Sequence, residues 1–388
     1  MALPAESHNF PVNPHSLRPF GHSPMPLPLA ALRRFERPLS GASMVAGFAF
    51  DNYYFGRVDH PATQIVLFVY VLFAIASILA LHVVESRDEG ELQGIYLKAH
   101  PLIVAATQFA LGGLWSAFLV FYGRSAVISA SWPFLIVLAA MLVGNEIFRK
   151  YHSRLAFNCT LLFFALFSYA IFVVPVFTKA MGQQTFLLSG LAAVIVFLLV
   201  LLLLWDIGPE RIRKAWRGIA LGAVGVFAIL NLFYFTNILP PLPLALANAG
   251  IFHSVTKEGD IYRAVAEPQP RFANWYGGIG ASPVMHVGRG ESLSVYGAVF
   301  APIQLRTQIF HTWQRYDDVA GWQNQARVRI DIIGGRDGGF RGFSSKSMPR
   351  VGRWRVNIET ADGLLIGRVA FSVGPVTGPV RNVVQVLR

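Results

Sequence analysis

Long apolar runs separated by short charged connections fill the chain from residue 62 to residue 238. A helix crossing a hydrocarbon core of about 30 Å needs about 20 mostly apolar residues. Six stretches meet that length: 62–84, 101–122, 125–148, 155–178, 184–205 and 216–238. Strands are excluded there, because an open sheet edge leaves backbone groups unpaired in lipid. Tyr122, Trp132, Tyr151, Trp205 and Trp216 fall near the ends of these runs, where amphipathic rings settle at the headgroup boundary. Pro133 and Pro175 lie inside runs, where a bundle tolerates a kink. The connections are short, Gly123-Arg124 being a tight hairpin, so sequential helices pack antiparallel in a compact bundle. Gly218, Gly222 and Gly225 put a small-residue stripe on the sixth run, the pattern that lets helices approach closely, within the chain or between copies.

Beyond residue 238 the pattern changes. Pro240-Pro241-Leu242-Pro243 ends the last helix and favours an extended linker, and 244–252 is expected to lie along the membrane interface. From His253 the text reads as strands, over 292–301, 304–316, 327–333, 340–344, 352–360 and 364–373. The period is two in Trp354-Arg355-Val356-Asn357-Ile358, apolar in and polar out. Gly334-Gly335-Arg336-Asp337-Gly338-Gly339 and Asp362-Gly363 are hairpin signals. Six or seven short strands with regular turns predict an all-β, immunoglobulin-like sandwich, without the inter-sheet disulfide. The expected plan is a polar N-terminal arm (1–40), a short juxtamembrane or half-helix segment (41–60), a polytopic α-helical membrane bundle of about six spans (61–239), a Pro-rich interfacial linker (240–252) and a β-rich domain in water (253–388).

Composition sharpens this plan. Charged residues are 14% of the chain, against about 25% in soluble proteins. The formal net charge is +12. The first, third and fifth connections carry nine Lys/Arg and the second and fourth carry two, which makes the odd connections cytoplasmic and the β domain extracytoplasmic. Arg33, Arg34 and Arg37 pull the N-terminal arm the other way. A half-helix or re-entrant piece over 41–55, carrying Asp51, reconciles the two. The first forty residues hold no apolar core of a cleavable signal peptide. No run of five Lys/Arg exists, so a nucleic-acid-binding tail is not expected. The lone Cys159 excludes an intrachain disulfide framework and a multi-cysteine metal site.

Ionisable groups near lipid are functional candidates by default. His82, Glu85, Arg124, Glu146 and Asp206 all lie near span ends. Asn145-Glu146 is the candidate intramembrane polar site, although Glu146 is also spaced to pair with Arg149 or Lys150. In the β domain, His311 and Trp313 share one strand face, a ligand-binding or a packing pair. With Arg336, Asp337 and Trp354 they form the candidate binding set. His253, His286 and His311 are scattered and none has a partner at ligand spacing, so no metal and no cofactor is expected. The GGRDGG string lacks the Lys-Ser/Thr of a phosphate loop and reads as a turn. No nucleophile elbow or zinc-protease helix appears, so no catalytic residue is assigned. From His253 onward 17 Lys/Arg stand against 10 Asp/Glu, a balance that attracts anionic headgroups or acidic envelope polymers beside a membrane.

The strings Gly47-Phe48-Ala49-Phe50-Asp51, Ser131-Trp132-Pro133-Phe134-Leu135, Gly144-Asn145-Glu146, Ile251-Phe252-His253-Ser254-Val255, Ala298-Val299-Phe300-Ala301-Pro302, Gly334-Gly335-Arg336-Asp337-Gly338 and Gly352-Arg353-Trp354-Arg355-Val356 occur in this order along the chain. Together they resemble the bacterial domain-of-unknown-function 2914 membrane-protein family. Phe340 and Phe343 stand where the family pattern has tyrosine. The resemblance implies a multi-pass protein of the bacterial inner membrane with a β-rich C-terminal module, and it carries over no catalytic residue. The expected role is a membrane-anchored binding or scaffold protein presenting a basic β domain to anionic lipid, an envelope polymer or another membrane protein. The alternative is a transporter or membrane enzyme with a polar site near Glu146.

Overall fold

The computed structural model describes residues 48–49, 51–53, 60–86, 89–147, 151, 154–268, 282–288, 290–302, 305–333, 339–347, 349–376 and 378–387. The expected arm 1–40, most of 41–60, the Arg336-Asp337 turn and the side chain of Glu146 lie outside that set.

Six helices follow one another: α1 (Pro61–Ser86), α2 (Glu89–Ser125), α3 (Ile128–Ile147), α4 (Leu155–Thr178), α5 (Gln183–Ile207) and α6 (Pro209–Phe235). Five of them are long and apolar enough to cross a membrane. Among the described residues the apolar stretch of α3 is Ala130–Asn145, so five helices meet the length of a span where six were expected. Pro101, Pro133 and Pro175 are each accommodated within a continuous helix.

The bundle is built inside out relative to a soluble protein. Helix α4 is its axis, with two-thirds of its most apolar window buried, while α6 has 22% buried. Ile65, Phe68, Val69, Leu191, Leu198, Leu202, Leu221 and Val224 point outward, a surface stable only against an apolar solvent. Lipid offers no hydrophobic drive for helix association, so shape-fitting contacts hold the bundle. Phenylalanine supplies many of them: Phe163 lies 4.9 Å from Phe197, Phe134 lies 4.7 Å from Tyr122, and Phe186 stacks on Tyr234 at 3.8 Å. A Cβ placed on Gly218 would meet Ala156 and one on Gly222 would meet Thr160, whereas Gly225 faces open space. Gly218 and Gly222 therefore serve the intrachain α4–α6 contact.

Eleven strands follow: β1 (Ala245–Phe252), β2 (Ser254–Glu258), β3 (Ile261–Ala266), β4 (Val284–Val287), β5 (Ser292–Phe300), β6 (Arg306–Asp317), β7 (Gly321–Ile333), β8 (Phe340–Ser347), β9 (Gly352–Thr360), β10 (Leu365–Pro375) and β11 (Val383–Leu387). They form three sheets, ordered β1-β5-β8, β4-β10-β9-β6-β7 and β11-β3-β2. The 244–252 segment, expected to lie along the interface, is thus strand β1 paired with β5. Strand β5 is buried on both faces. Val295 and Val299 pack toward the five-stranded sheet, and Tyr296 and Ala298 pack toward the third sheet.

The bundle and the β domain join through shared packing. Met181, in the α4–α5 connection, packs against the apolar layer of Leu244, Val299, Leu305, Ile309, Ile358 and Ile366. Ser125 Oγ donates to Leu244 O. The Gln183 backbone N–H at the start of α5 donates to Asp362 Oδ2 at 3.0 Å. The second and fourth connections, which carry few charges, therefore lie at the β-domain end. A second core layer, including Trp313, Trp354, Val356 and Phe371, lies farther along the strands from this junction.

Candidate binding face

The inner face of the five-stranded sheet is core, and its outer face carries polar, charged and aromatic side chains. On the inner side Ile309, His311 and Trp313 of β6 stand beside Trp354, Val356 and Ile358 of β9. His311 and Trp313 are 0% exposed and Trp354 is 2% exposed. Trp313 Nε1–H donates to Ser344 Oγ at 2.9 Å, and the same hydroxyl is hydrogen-bonded to His311 Nδ1 at 2.9 Å. Burial pushes the His311 imidazole down to about 4, because a charged ring loses its hydration there. Trp354 Nε1–H donates to Arg350 O. These three members of the candidate set are brought together as packing residues; none is open to a ligand.

Antiparallel pairing puts their sequence neighbours on the opposite side in four rows, because side chains alternate along each strand. Farthest from the bundle, Arg353, Tyr316 and Trp322 are aligned across β9, β6 and β7; next come Arg355, Gln314 and Asn324; then Arg368 of β10, Asn357, Thr312 and Arg327; and nearest the bundle Glu359, Phe310 and Arg329. The guanidinium of Arg353 lies 3.7 Å from the Tyr316 ring centroid and that of Arg355 lies 4.2 Å from Trp322. The two rings meet edge-on at 5.2 Å. Two cations thus flank an aromatic pair, an attractive arrangement with the ring quadrupoles. Amides brace them. Arg355 Nε donates to Gln314 Oε1 at 2.6 Å, Gln314 Nε2 donates to Asn324 Oδ1 at 2.6 Å, and Arg368 Nε donates to Asn357 Oδ1 at 2.8 Å. Burial and the neighbouring Arg368 hold Arg355 down to about 10, still cationic at neutral pH.

Charge on this face is neutralised unevenly. Near the bundle, Arg329 pairs with Asp331 at 2.9 Å and Arg327 lies 3.6 Å from Glu359. Burial raises the Glu359 carboxyl, against the hydrogen bond from Thr312 and the charges of Arg327 and Arg368. Far from the bundle, neither Arg353 nor Arg355 has a carboxylate partner among the described residues.

A second cluster joins residues that looked scattered. His253 Nε2 lies 2.9 Å from Glu267 Oε1, the His286 backbone N–H donates to the same oxygen at 2.7 Å, and His286 Nδ1 lies 2.9 Å from Oε2. Burial raises this carboxyl, but the hydrogen bonds from His286 and His253 outweigh it and leave the group below its ordinary range. The cluster clips edge strand β4 to the third sheet. Among the described residues no set of His, Cys, Asp and Glu converges on a metal position.

In the bundle, Asn145 Nδ2 donates to Gln108 O at 2.9 Å and packs against Gly112. Asp51 accepts a hydrogen bond from Ser116 and Asn52 O accepts one from Arg124, so the segment before α1 docks on α2. At the opposite end Glu85, nearly buried, pairs with Arg211 at 2.6 Å and with His100 at 3.0 Å, and His82 reaches Leu204 O. Asp206 is exposed.

Residues 306–373, running from the start of β6 into β10, match the family model described as protein of unknown function (DUF2914). Every residue of the four rows lies within that match. No curated protein matches the chain. A solved structure, Pseudomonas fluorescens alkylpurine DNA glycosylase AlkC bound to DNA containing an abasic site analog, aligns at 9% identity with a TM-score of 0.21, over 79% of this chain and 97% of that one. So low a score carries no argument about fold or function.

Proposed function

We propose that the chain is a membrane-anchored binding protein in which the helical bundle is a fixed base and the outer face of the five-stranded sheet is the working surface. The observation that carries this is the Arg353–Tyr316–Trp322–Arg355 array, ordered by amides and left without carboxylate partners. Ordered arginines beside aromatic rings suit recognition, because little side-chain freedom remains to be lost on binding. The finer reading has six crossings including α3, odd connections in the cytoplasm of a bacterium, and the β domain, immunoglobulin-like in its packed β6–β10 layers, outside the inner membrane. The charge bias of the connections and their grouping away from the β domain support it.

Cysteine labelling tests the surface. Cys159 is buried, so Asn324→Cys and, as reference, Val319→Cys (98% exposed) are compared with a membrane-impermeant maleimide. Slower labelling of residue 324 in native membranes than in purified protein, with residue 319 unchanged, marks an occupied face. Equal behaviour of the two positions in both settings would remove the reading.

A further inference from the structure

The position of the unpaired arginines along the domain narrows the ligand. Strand β9 runs from Gly352 to Thr360, and the turn after it carries Asp362, which accepts from the start of α5. At about 3.3 Å per residue the Arg353–Tyr316–Trp322 row lies about 23 Å along β9 from Thr360, at the end of the strand away from the bundle. Lipid headgroups occupy only some 5–8 Å on each side of the hydrocarbon core, a layer thinner than that separation. Of the arginines nearer the bundle on this face, Arg327 and Arg329 are matched by Glu359 and Asp331, while Arg306 at the start of β6 has no carboxylate partner among the described residues. Two unmatched arginines, Arg353 and Arg355, stand together toward the end of the sheet away from the bundle.

Arg353 and Arg355 stand two apart on one strand, so their Cα atoms are about 7 Å apart. The guanidinium of each lies over a ring, and Nε of Arg355 is held by Gln314. The terminal N–H groups are left to grip a planar anion in bidentate fashion. The Asn324 side chain, exposed beside them, accepts from Gln314 and has no acceptor for its own N–H groups among the described residues. It offers neutral hydrogen bonds next to charged ones, which suits a hydroxyl-rich chain that also bears acid groups.

We propose, building on the binding role above, that Arg353, Arg355 and Asn324 hold an acidic polysaccharide across the distal half of this face, one carboxylate to each guanidinium. The anchoring bilayer plays no part in the contact.

The test uses the full-length protein in nanodiscs of zwitterionic phosphatidylcholine. Biolayer interferometry measures binding of polygalacturonate, neutral dextran, polyphosphate and vesicles containing phosphatidylglycerol. Polygalacturonate is expected to bind saturably and dextran not to bind. R353Q/R355Q should weaken polygalacturonate by at least about tenfold. R353K/R355K keeps the charge but loses the fork and should weaken it several-fold. R263Q/R381Q removes the same charge elsewhere in the domain and should leave it unchanged. Equal losses in R353Q/R355Q and R263Q/R381Q would overturn the assignment. Polyphosphate or vesicles binding more tightly than polygalacturonate, with sensitivity to Arg353 and Arg355, would overturn the polysaccharide while leaving the binding face intact. Insensitivity of every ligand to these arginines would remove the binding face as well.

Discussion

Replacing His311 with asparagine should change how the β domain responds to acid. The imidazole is buried, held at about 4 against an ordinary value of 6.5, and its one hydrogen bond goes to Ser344. In the unfolded chain the ring takes up a proton as pH falls below 6.5, while in the folded chain it stays neutral until about 4. The unfolded state therefore binds more protons across that window, and stability falls with falling pH. The loss approaches about 3 kcal/mol by pH 4 and is about 2 kcal/mol at pH 5. Asparagine does not titrate, so it lacks this component whatever its own cost at neutral pH. The readout is hydrogen exchange of the β6 and β9 amides in full-length protein in nanodiscs, corrected for the intrinsic pH dependence, at pH 7.5 and pH 5. The stability gap between wild type and His311→Asn should close by about 2 kcal/mol over that interval. A gap that does not move with pH would mean that the folded protein protonates His311 as readily as the unfolded chain does, and the burial argument would be wrong.

Ser344→Ala leaves Trp313 Nε1 and His311 Nδ1 without their shared partner and should cost about 1–3 kcal/mol in chemical denaturation. Glu267→Ala releases both His253 and His286; exchange at 284–287 should accelerate, with a loss of roughly 2 kcal/mol, while the distant β6–β7 hairpin stays protected. Asp362→Ala removes the carboxylate at the start of α5 and should cost about 1 kcal/mol, seen as faster exchange in the first turn of α5. Gly222→Ala should lower thermal stability in detergent by about 1–3 kcal/mol through its clash with Thr160, whereas Gly225→Ala, which meets nothing, should be neutral or slightly stabilising.

The bundle was legible because lipid permits only uninterrupted apolar runs, and each predicted run falls on a helix, although α2 begins twelve residues and α6 seven residues before the predicted start, in charged segments outside the apolar pattern. The shortest helix of the bundle is α3, Ile128–Ile147. In the β domain the alternation of β9 correctly separated Trp354, Val356 and Ile358 from Arg353, Arg355 and Asn357. Strand β1 escaped notice because Ala245-Leu246-Ala247-Asn248-Ala249-Gly250 has no alternation; its place in the sheet is set by pairing with β5 rather than by its own pattern. The polar start of β7 escaped because an edge strand with one open face needs few apolar residues. The site suffered from the same limit. Local pattern put His311, Trp313 and Trp354 forward, yet the aromatic character that made them conspicuous is what places them in the core. Tyr316 and Trp322 become partners of Arg353 and Arg355 only through cross-strand register, which no single strand encodes. Glu267 meets two histidines 14 and 19 residues away for the same reason.

The junction gives the asymmetry of the face its meaning. A β domain on a loose tether would present all of its surfaces to the bilayer in turn, and every arginine on it would be a headgroup contact. Here Met181 packs into the lower core layer, Asp362 caps α5 and Ser125 holds Leu244. Two strand ends and one core layer are thus fastened to the bundle. Position along those strands then becomes distance from the bundle. Arg327 and Arg329 low on the sheet carry their own carboxylates, while Arg353 and Arg355 high on the sheet lie over aromatic rings without them, so the unmatched pair stands toward the end away from the bundle.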